Sequence, residues 1–289
     1  TILAWGFALP FAVVFCVFML IPLLSSMAMS FTDITSKDLR TPFNVNFVGL
    51  DQYITLFHDH RFLHALGVTG IFVLVGLPIT MAIALAFAVA LNKGSKHLNA
   101  FFRAVFYAPV VASVVAVSVV WRYILQKDGL LNSLLAVFGI AGPDWLHDTR
   151  YALPALMVMT IWRNMGTLMI IFLAGLQGIS AELYEAASLD GASGLRRFWN
   201  VTMPFIRSIL VVLLILQIIW DLRVFAQIYA LQTIGGVRET TNTIGVYIYN
   251  ESMASGKLGT GGAISIILVA IMLAISAYYI RLTLKQEDQ

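Results

Sequence analysis

Six long hydrophobic stretches constrain the fold of this chain more than any other feature of its sequence. Each is close to or above the roughly 20 residues that a helix needs to cross about 30 Å of hydrocarbon. The stretches are Leu3–Leu24, Gly67–Leu91, Ala104–Leu125, Tyr151–Leu176, Phe205–Leu231 and Gly262–Ile280. A backbone in lipid must satisfy its own hydrogen bonds, so each stretch is predicted to be a helix. The sequence therefore predicts an all-α, polytopic integral membrane protein with six transmembrane helices.

Composition excludes the other broad classes of protein. The 289 residues are 60% hydrophobic and 11% charged, whereas a typical soluble domain has about 25% charged residues. A disordered chain needs low hydrophobicity and high charge, and a net charge of +3 on so apolar a chain argues against nucleic-acid binding. Cys16 is the single cysteine, and the five histidines show no metal-ligand spacing. We therefore expect residues 1–289 to form one transmembrane domain without a metal site. Because the chain starts at Thr1 inside an apolar run, we also expect that further residues precede it.

The loops between the stretches indicate the orientation in the membrane. The long loops 25–65, 126–150 and 232–261 alternate with the shorter segments 92–103, 177–204 and 281–289. Lysine and arginine are denser in the shorter segments, and 92–103 contains no acidic residue. The positive-inside rule then predicts that the shorter segments and both termini are cytoplasmic.

The segment 177–204 is polar and is predicted to form a helical hairpin. Ser180 fits the N-cap of a short helix with Glu182 in its first turn, and Gly191 fits the C-terminal end. Asp190 sits near the negative end of that helix, which suggests a local cap or a contact with a partner. A second short helix is predicted to end at Pro204 and to carry on one face Leu195, Phe198, Trp199 and Thr202. The alternative is a helical loop that only covers the inner mouth of the bundle.

One motif in this hairpin resembles the EAA loop of ABC importer permeases. The motif reads Glu185-Ala186-Ala187, three residues, Gly191, nine residues, Val201-Thr202-Met203-Pro204. The family pattern has isoleucine where this chain has Val201 and leucine where it has Met203. Three further segments are similar to the carbohydrate-uptake branch, and within it to the first of two paired permease subunits of maltose and multiple-sugar importers. These segments are 47–53, 129–132 and 172–177.

The resemblance implies a type I ABC importer permease fold and a transport subunit that is not an enzyme. The chain contains no Gly-x-x-x-x-Gly-Lys-Ser/Thr phosphate loop, so ATP and Mg²⁺ would be bound by a separate ATPase and the chain would carry no cofactor. In the family, the EAA helix docks into a cleft of the ATPase. The residues of this chain implied in that contact are Glu185, Ala186, Ala187, Asp190 and Gly191. The implied partners are a second homologous permease, two copies of the ATPase and an extracellular solute-binding protein, in the cell membrane of a prokaryote.

Two polar stripes interrupt the apolar stretches. Charges inside spans are costly and usually mark pathways, and the spacing i, i+3, i+4, i+7 puts a set of residues on one helix face. The stripes are Thr160, Arg163, Asn164 and Thr167 in the fourth span, and Gln217, Trp220 and Asp221 in the fifth. We expect them to face each other in the outer half of the membrane, with Trp220 as a flat surface for a sugar. Matching positions line the sugar site in the carbohydrate-uptake branch. The charges Arg122 and Arg223 are interpreted as side chains that snorkel to the outer headgroups.

Three alternatives stay open from the sequence. Arg163 and Asp221 could form an ion pair that only joins two helices, with or without a substrate site. The substrate could be a disaccharide or oligosaccharide, or a charged organic solute such as glycerol phosphate, for which Arg163 would be the discriminating residue. The chain could also be a stand-alone secondary transporter or channel, in which case the EAA motif would have no function.

Overall fold

The computed structural model of the chain describes residues 2–40, 45–92, 94, 96–233 and 240–287. Parts of the predicted segments 25–65, 92–103, 232–261 and 281–289 therefore lie outside the described residues. Within these ranges the chain is helical, apart from loops and one isolated antiparallel bridge between Thr32 and Phe47. The α-helices are α1 (Ile2–Phe15), α2 (Ile21–Met29), α3 (Asp51–His58), α4 (His60–Ile71), α5 (Leu77–Asn92), α6 (Lys96–Val111), α7 (Val114–Leu125), α8 (Leu130–Val137), α9 (Ala152–Gln177), α10 (Ala181–Leu189), α11 (Gly194–Arg197), α12 (Met203–Leu222), α13 (Ala226–Thr233), α14 (Ile244–Tyr249) and α15 (Leu258–Glu287).

The described helices include the predicted membrane spans. Five are long and apolar enough to cross a membrane: Ala8–Met29, His60–Asn92, Ala152–Gln177, Gly194–Thr233 and Leu258–Arg281. A sixth span results if the bent pair Asn99–Val111 and Val114–Val137 is counted as one. The predicted all-α fold with six apolar spans is confirmed.

The third predicted span is not one straight helix, which corrects the sequence analysis. The chain bends by 103° between α6 and α7. Pro109 lies in the last turn of α6, where its ring removes a backbone donor and crowds the preceding carbonyl groups. Ser113 then takes an extended conformation (φ −57°, ψ 130°) before α7 begins. The stretch Ala104–Leu125 therefore forms two helices rather than one.

Three other prolines, Pro22, Pro78 and Pro204, do not interrupt their helices, and a π-helical turn precedes each of them. Five-residue π turns occur at Cys16–Leu20, Phe72–Gly76 and Phe198–Thr202, and each ends two residues before a proline: Pro22, Pro78 and Pro204. In each turn the closing backbone N–H donates to the carbonyl five residues earlier, which opens the helix enough to accommodate the following ring. The prediction that Pro204 ends a short helix is therefore wrong. The helix that starts at Gly194 continues through Pro204 into α12.

The contacts divide the chain into two groups, residues 1–67 with 243–289, and residues 68–242. The prediction of a single domain over 1–289 stays a prediction. In the first group α2 packs against α15. The loop after α2 is tied to the start of α15, because the Gly259 N–H donates to the Ile34 carbonyl (2.9 Å).

The second group is built around α9, which packs against α5, α6 and α12. Its buried face includes Met159, Leu168 and Phe172, all fully shielded. Gly166 lies where α9 crosses α6, and a Cβ atom at this position would collide with the backbone carbonyl oxygen of Phe106. Only glycine allows the two helices to come this close.

Gly166→Ala is therefore expected to destabilise the chain by about 1–3 kcal/mol, the usual cost of overpacking. The measurement is thermal unfolding of the purified protein in lipid nanodiscs. Gly70→Ala is the matched control, because Gly70 is also helical and a Cβ there meets nothing within 4 Å. The control should keep or slightly raise the melting temperature, since alanine favours helix over glycine. Equal losses in both variants would contradict the close contact at Gly166.

Candidate functional site

The predicted hairpin is formed by α10, α11 and the turn between them. Ser180 takes the extended N-cap conformation (φ −64°, ψ 143°), although its side chain makes no capping hydrogen bond. Gly191 has φ +74°, a left-handed conformation that glycine adopts without strain. The Ala192 N–H donates to the Ala187 carbonyl (2.9 Å), which closes the end of α10. The glycine turn thus lies where the sequence predicts it.

Two side-chain hydrogen bonds join the arms of the hairpin. The hydroxyl groups of Tyr184 and Thr202 are 2.9 Å apart, and Arg197 Nη1 donates to Ser188 Oγ at 2.6 Å. The second arm is also continuous with α12 through the π turn Phe198–Thr202. The hairpin is therefore fixed to the N-terminal end of a long helix.

The hairpin exposes a mixed polar and apolar surface. Of the five predicted contact residues, Glu185, Ala186, Asp190 and Gly191 are exposed and Ala187 is half-buried. Large apolar side chains lie near them, with Leu189 89% and Leu195 71% exposed. A groove of about 430 Å³ is lined by Tyr184, Glu185, Ser188, Leu189 and Arg197. Clustered exposed apolar residues of this kind mark interaction sites.

One detail of the predicted second helix is wrong. Leu195, Phe198, Trp199 and Thr202 were expected on one face. Thr202 is buried, whereas Leu195 and Trp199 are exposed, because the π turn alters the angular spacing between these residues.

The two polar stripes open on one cavity of about 520 Å³. Helix α9 contributes Arg163, Asn164 and Thr167 to its wall, and α12 contributes Trp220 and Asp221. Five of the seven predicted pathway residues thus come together. The wall is completed by Val110, Arg223, Val224, Phe225, Ala226 and Gln227.

The other two predicted residues lie behind this wall. Gln217 is buried, and its Nε2 donates to Asp221 Oδ1 at 2.8 Å. Thr160 is also buried and donates to the Leu156 carbonyl at 3.0 Å. Thr160 and Asp221 line a small void beside α5. Gln217 and Thr160 therefore support the site from behind and do not face the cavity.

The ion pairs among the described residues do not include one between Arg163 and Asp221. In the same part of the chain, Arg163 Nε and Gln217 Oε1 are buried without a hydrogen-bond partner. Of these two residues only Arg163 lines the cavity, where a ligand rich in hydroxyl groups could satisfy an unpaired polar atom. No group of three or more His, Cys, Asp and Glu residues is placed to hold a metal ion in the ranges that the structure covers.

Sequence reasoning missed Arg223, Gln227 and Val110. Helix α12 ends at Leu222 and α6 at Val111, so both helices break beside the cavity. Arg223 was assigned to the headgroups because a straight helix would carry it there. The break before α13 brings it to the cavity wall instead. A second charge two residues after Asp221 was the signal that could have found it.

Replacing Gln217 tests whether its hydrogen bond to Asp221 stabilises the protein. Gln217→Leu removes the hydrogen bond to a buried carboxyl group and is expected to cost about 1–3 kcal/mol of stability. Thermal unfolding in nanodiscs is the measurement. The double variant Gln217→Leu with Asp221→Leu should recover most of the loss, because no polar group is then left unpaired. Losses that simply add in the double variant would show that the two side chains are not coupled.

The sequence of this chain matches a known protein family and several of its members. Residues 76–285 match the family described as binding-protein-dependent transport system inner membrane component. The arabinooligosaccharides transport system permease protein of Bacillus subtilis is 30% identical over 96% of this chain and 87% of its own length. The lactose transport system permease protein of Rhizobium radiobacter is 31% identical over 95% of this chain and 92% of its own length.

A solved structure has the same fold. It is the crystal structure of a bacterial alginate ABC transporter in complex with an alginate pentasaccharide-bound periplasmic protein. The matching chain has a TM-score of 0.80 and 25% identity, over 96% of this chain and 92% of that one. The family model matches most of the length of this chain. The chain therefore belongs to the binding-protein-dependent transport system inner membrane components, the permease family of ABC importers.

Proposed function

We propose that this chain is a permease subunit of an ATP-driven importer for a sugar, namely a disaccharide or oligosaccharide. The observation that carries the proposal is the cavity at which the polar faces of α9 and α12 meet, in spans that are otherwise apolar. Discontinuous helices around a site within the membrane are typical of transporters. The named substrates of the two relatives, arabinooligosaccharides and lactose, support a sugar.

The side chains of the cavity suit a saccharide. Sugars need hydrogen-bond donors and acceptors for their hydroxyl groups and a flat apolar surface for their ring faces. Arg163, Asn164 and Thr167 supply the polar groups from α9, and Asp221 supplies an acceptor from α12. Trp220 is 45% exposed and supplies an aromatic face.

In this proposal the hairpin couples the cavity to ATP hydrolysis. The exposed face of α10 would dock on one of two ATPase copies, which bind ATP and Mg²⁺. The chain itself contains no phosphate loop. Because the hairpin is bonded to the start of α12, its displacement by the ATPase would move the helix that carries Trp220 and Asp221. The cavity would then open alternately to a solute-binding protein outside and to the cytoplasm.

The orientation and partners belong to the same proposal. The chain would lie in the cell membrane of a prokaryote. Its basic shorter segments and both termini would face the cytoplasm, which contains the ATP. A second homologous permease would complete the pathway, and the solute-binding protein would dock on the long loops.

Charge reversal on the hairpin tests the coupling. Glu185→Lys is expected to reduce uptake by about tenfold or more, which corresponds to about 1.4 kcal/mol lost at the docking surface. The measurement is uptake by proteoliposomes together with ATP hydrolysis by the co-purified ATPase. Glu182→Lys is the matched control, an exposed glutamate of the same helix outside the motif. Normal uptake by Glu185→Lys, or uptake without any ATPase, would instead support a stand-alone transporter.

Substitutions in the cavity test the substrate site. Trp220→Ala and Asp221→Leu should each reduce uptake by about tenfold or more, while size-exclusion chromatography shows an intact complex. Loss of the complex in both variants would favour a purely structural role for Trp220 and Asp221.

Arg163→Ala separates the substrate classes: if it abolishes uptake of a phosphorylated solute and leaves uptake of neutral sugars unaffected, the sugar assignment is wrong.

A further inference from the structure

Helix α3 and the residues before it carry a stripe of exposed apolar side chains. Phe47 is 78% exposed, Leu50 61%, Ile54 57% and Phe57 54%. The spacing of three and four residues along Leu50, Ile54 and Phe57 puts them on one face of the helix. Four large apolar side chains thus point away from the protein on one short segment.

The opposite face of α3 points into the protein and carries the buried Leu56 together with two polar side chains, Gln52 and Tyr53. Gln52 Nε2 donates to the Thr32 carbonyl at 3.2 Å, and Gln52 Oε1 accepts from Thr260 Oγ1 at 2.9 Å. The hydroxyl groups of Tyr53 and the buried Ser30 are 2.7 Å apart. The exposed side of α3 thus combines large apolar side chains with the polar Asp51, Thr55 and His58, whereas a surface helix in water exposes mainly polar side chains.

These hydrogen bonds also place α3 beside the ends of two apolar spans. Ser30 directly follows the span Ala8–Met29, and Thr260 is the third residue of the span Leu258–Arg281. Helix α3 is therefore bonded to the end of one apolar span and the start of another, which is where membrane helices meet the interface.

Two cationic side chains, Arg61 and Lys257, also lie at the ends of apolar spans. The side chains of Arg61 and Lys257 are 69% and 53% exposed, although each pairs with a carboxylate, Arg61 with Asp59 at 3.2 Å and Lys257 with the buried Glu251 at 3.3 Å. Lys257 directly precedes α15. Long cationic side chains at a membrane surface reach lipid phosphate groups.

We propose that α3 lies in the plane of the membrane interface, with Phe47, Leu50, Ile54 and Phe57 inserted among the acyl chains. A soluble partner that binds and leaves would expose these four side chains to water between encounters, a state that soluble surfaces avoid. Lipid covers them continuously. The inference does not depend on what the chain transports, so its test is separate from those of the proposed function.

Spin labelling tests the insertion. Cys16→Ser gives a cysteine-free background, since Cys16 is the single cysteine. Labels are then attached to Ile54→Cys, Phe57→Cys and Leu50→Cys, the third as a reserve if one variant fails to assemble. The protein is purified with the subunits that accompany it and reconstituted in nanodiscs of phosphatidylethanolamine and phosphatidylglycerol.

Collision rates with oxygen, which concentrates in lipid, and with a water-soluble nickel chelate are compared. Phe18→Cys, in the middle of the span Ala8–Met29, is the lipid reference, and the exposed Lys37→Cys is the water reference. The oxygen-to-nickel ratio at Ile54 and Phe57 should exceed that at Lys37 several-fold. A ratio equal to that at Lys37 would overturn the proposal. Low collision rates with both reagents would overturn it too, because they would show that another protein subunit covers the stripe.

Discussion

Hydrocarbon offers the backbone no hydrogen-bond partner, and this constraint determines where each helix can bend. An unpaired N–H or carbonyl group in lipid costs several kcal/mol, so a helix continues wherever it faces lipid. The π turns before Pro22, Pro78 and Pro204 keep the chain helical through residues that would otherwise end it. The breaks after α6 and α12 lie instead beside the polar cavity, where exposed backbone groups can be solvated or bound.

The same constraint links the two parts of the candidate site. From Gly194 to Leu222 the chain stays helical without a break, a length of about 40 Å at 1.5 Å per residue. The hairpin lies at one end of this helix and Trp220 and Asp221 lie at the other. Because Tyr184 and Arg197 tie the first arm of the hairpin to the second, force on α10 reaches α12 through bonded groups rather than through a flexible linker.

Periodic features of the site could be predicted from the sequence, and breaks could not. The stripes that contain Arg163 and Asp221 repeat at helical spacing, and Gly191 is the residue type that a left-handed turn requires. The break after Leu222 has no such signal, because residues 223–225 include neither proline nor glycine. It depends on tertiary packing, and with it the position of Arg223 was missed. Pro109 did signal the bend after α6, but prolines are common in membrane helices, so their presence alone does not identify a break.

The π turn at Phe198–Thr202 fixes the number of residues between the hairpin and the cavity. A single residue added to or removed from an α-helix rotates everything beyond it by about 100°. Deletion of one residue in the α-helix that follows this turn, between Met203 and Gln217, would therefore leave the composition and hydrophobicity of the span almost unchanged while turning Trp220 and Asp221 away from α9. If the proposed coupling holds, chain length matters in this segment as much as residue type does, and related sequences should tolerate substitutions here far better than insertions or deletions.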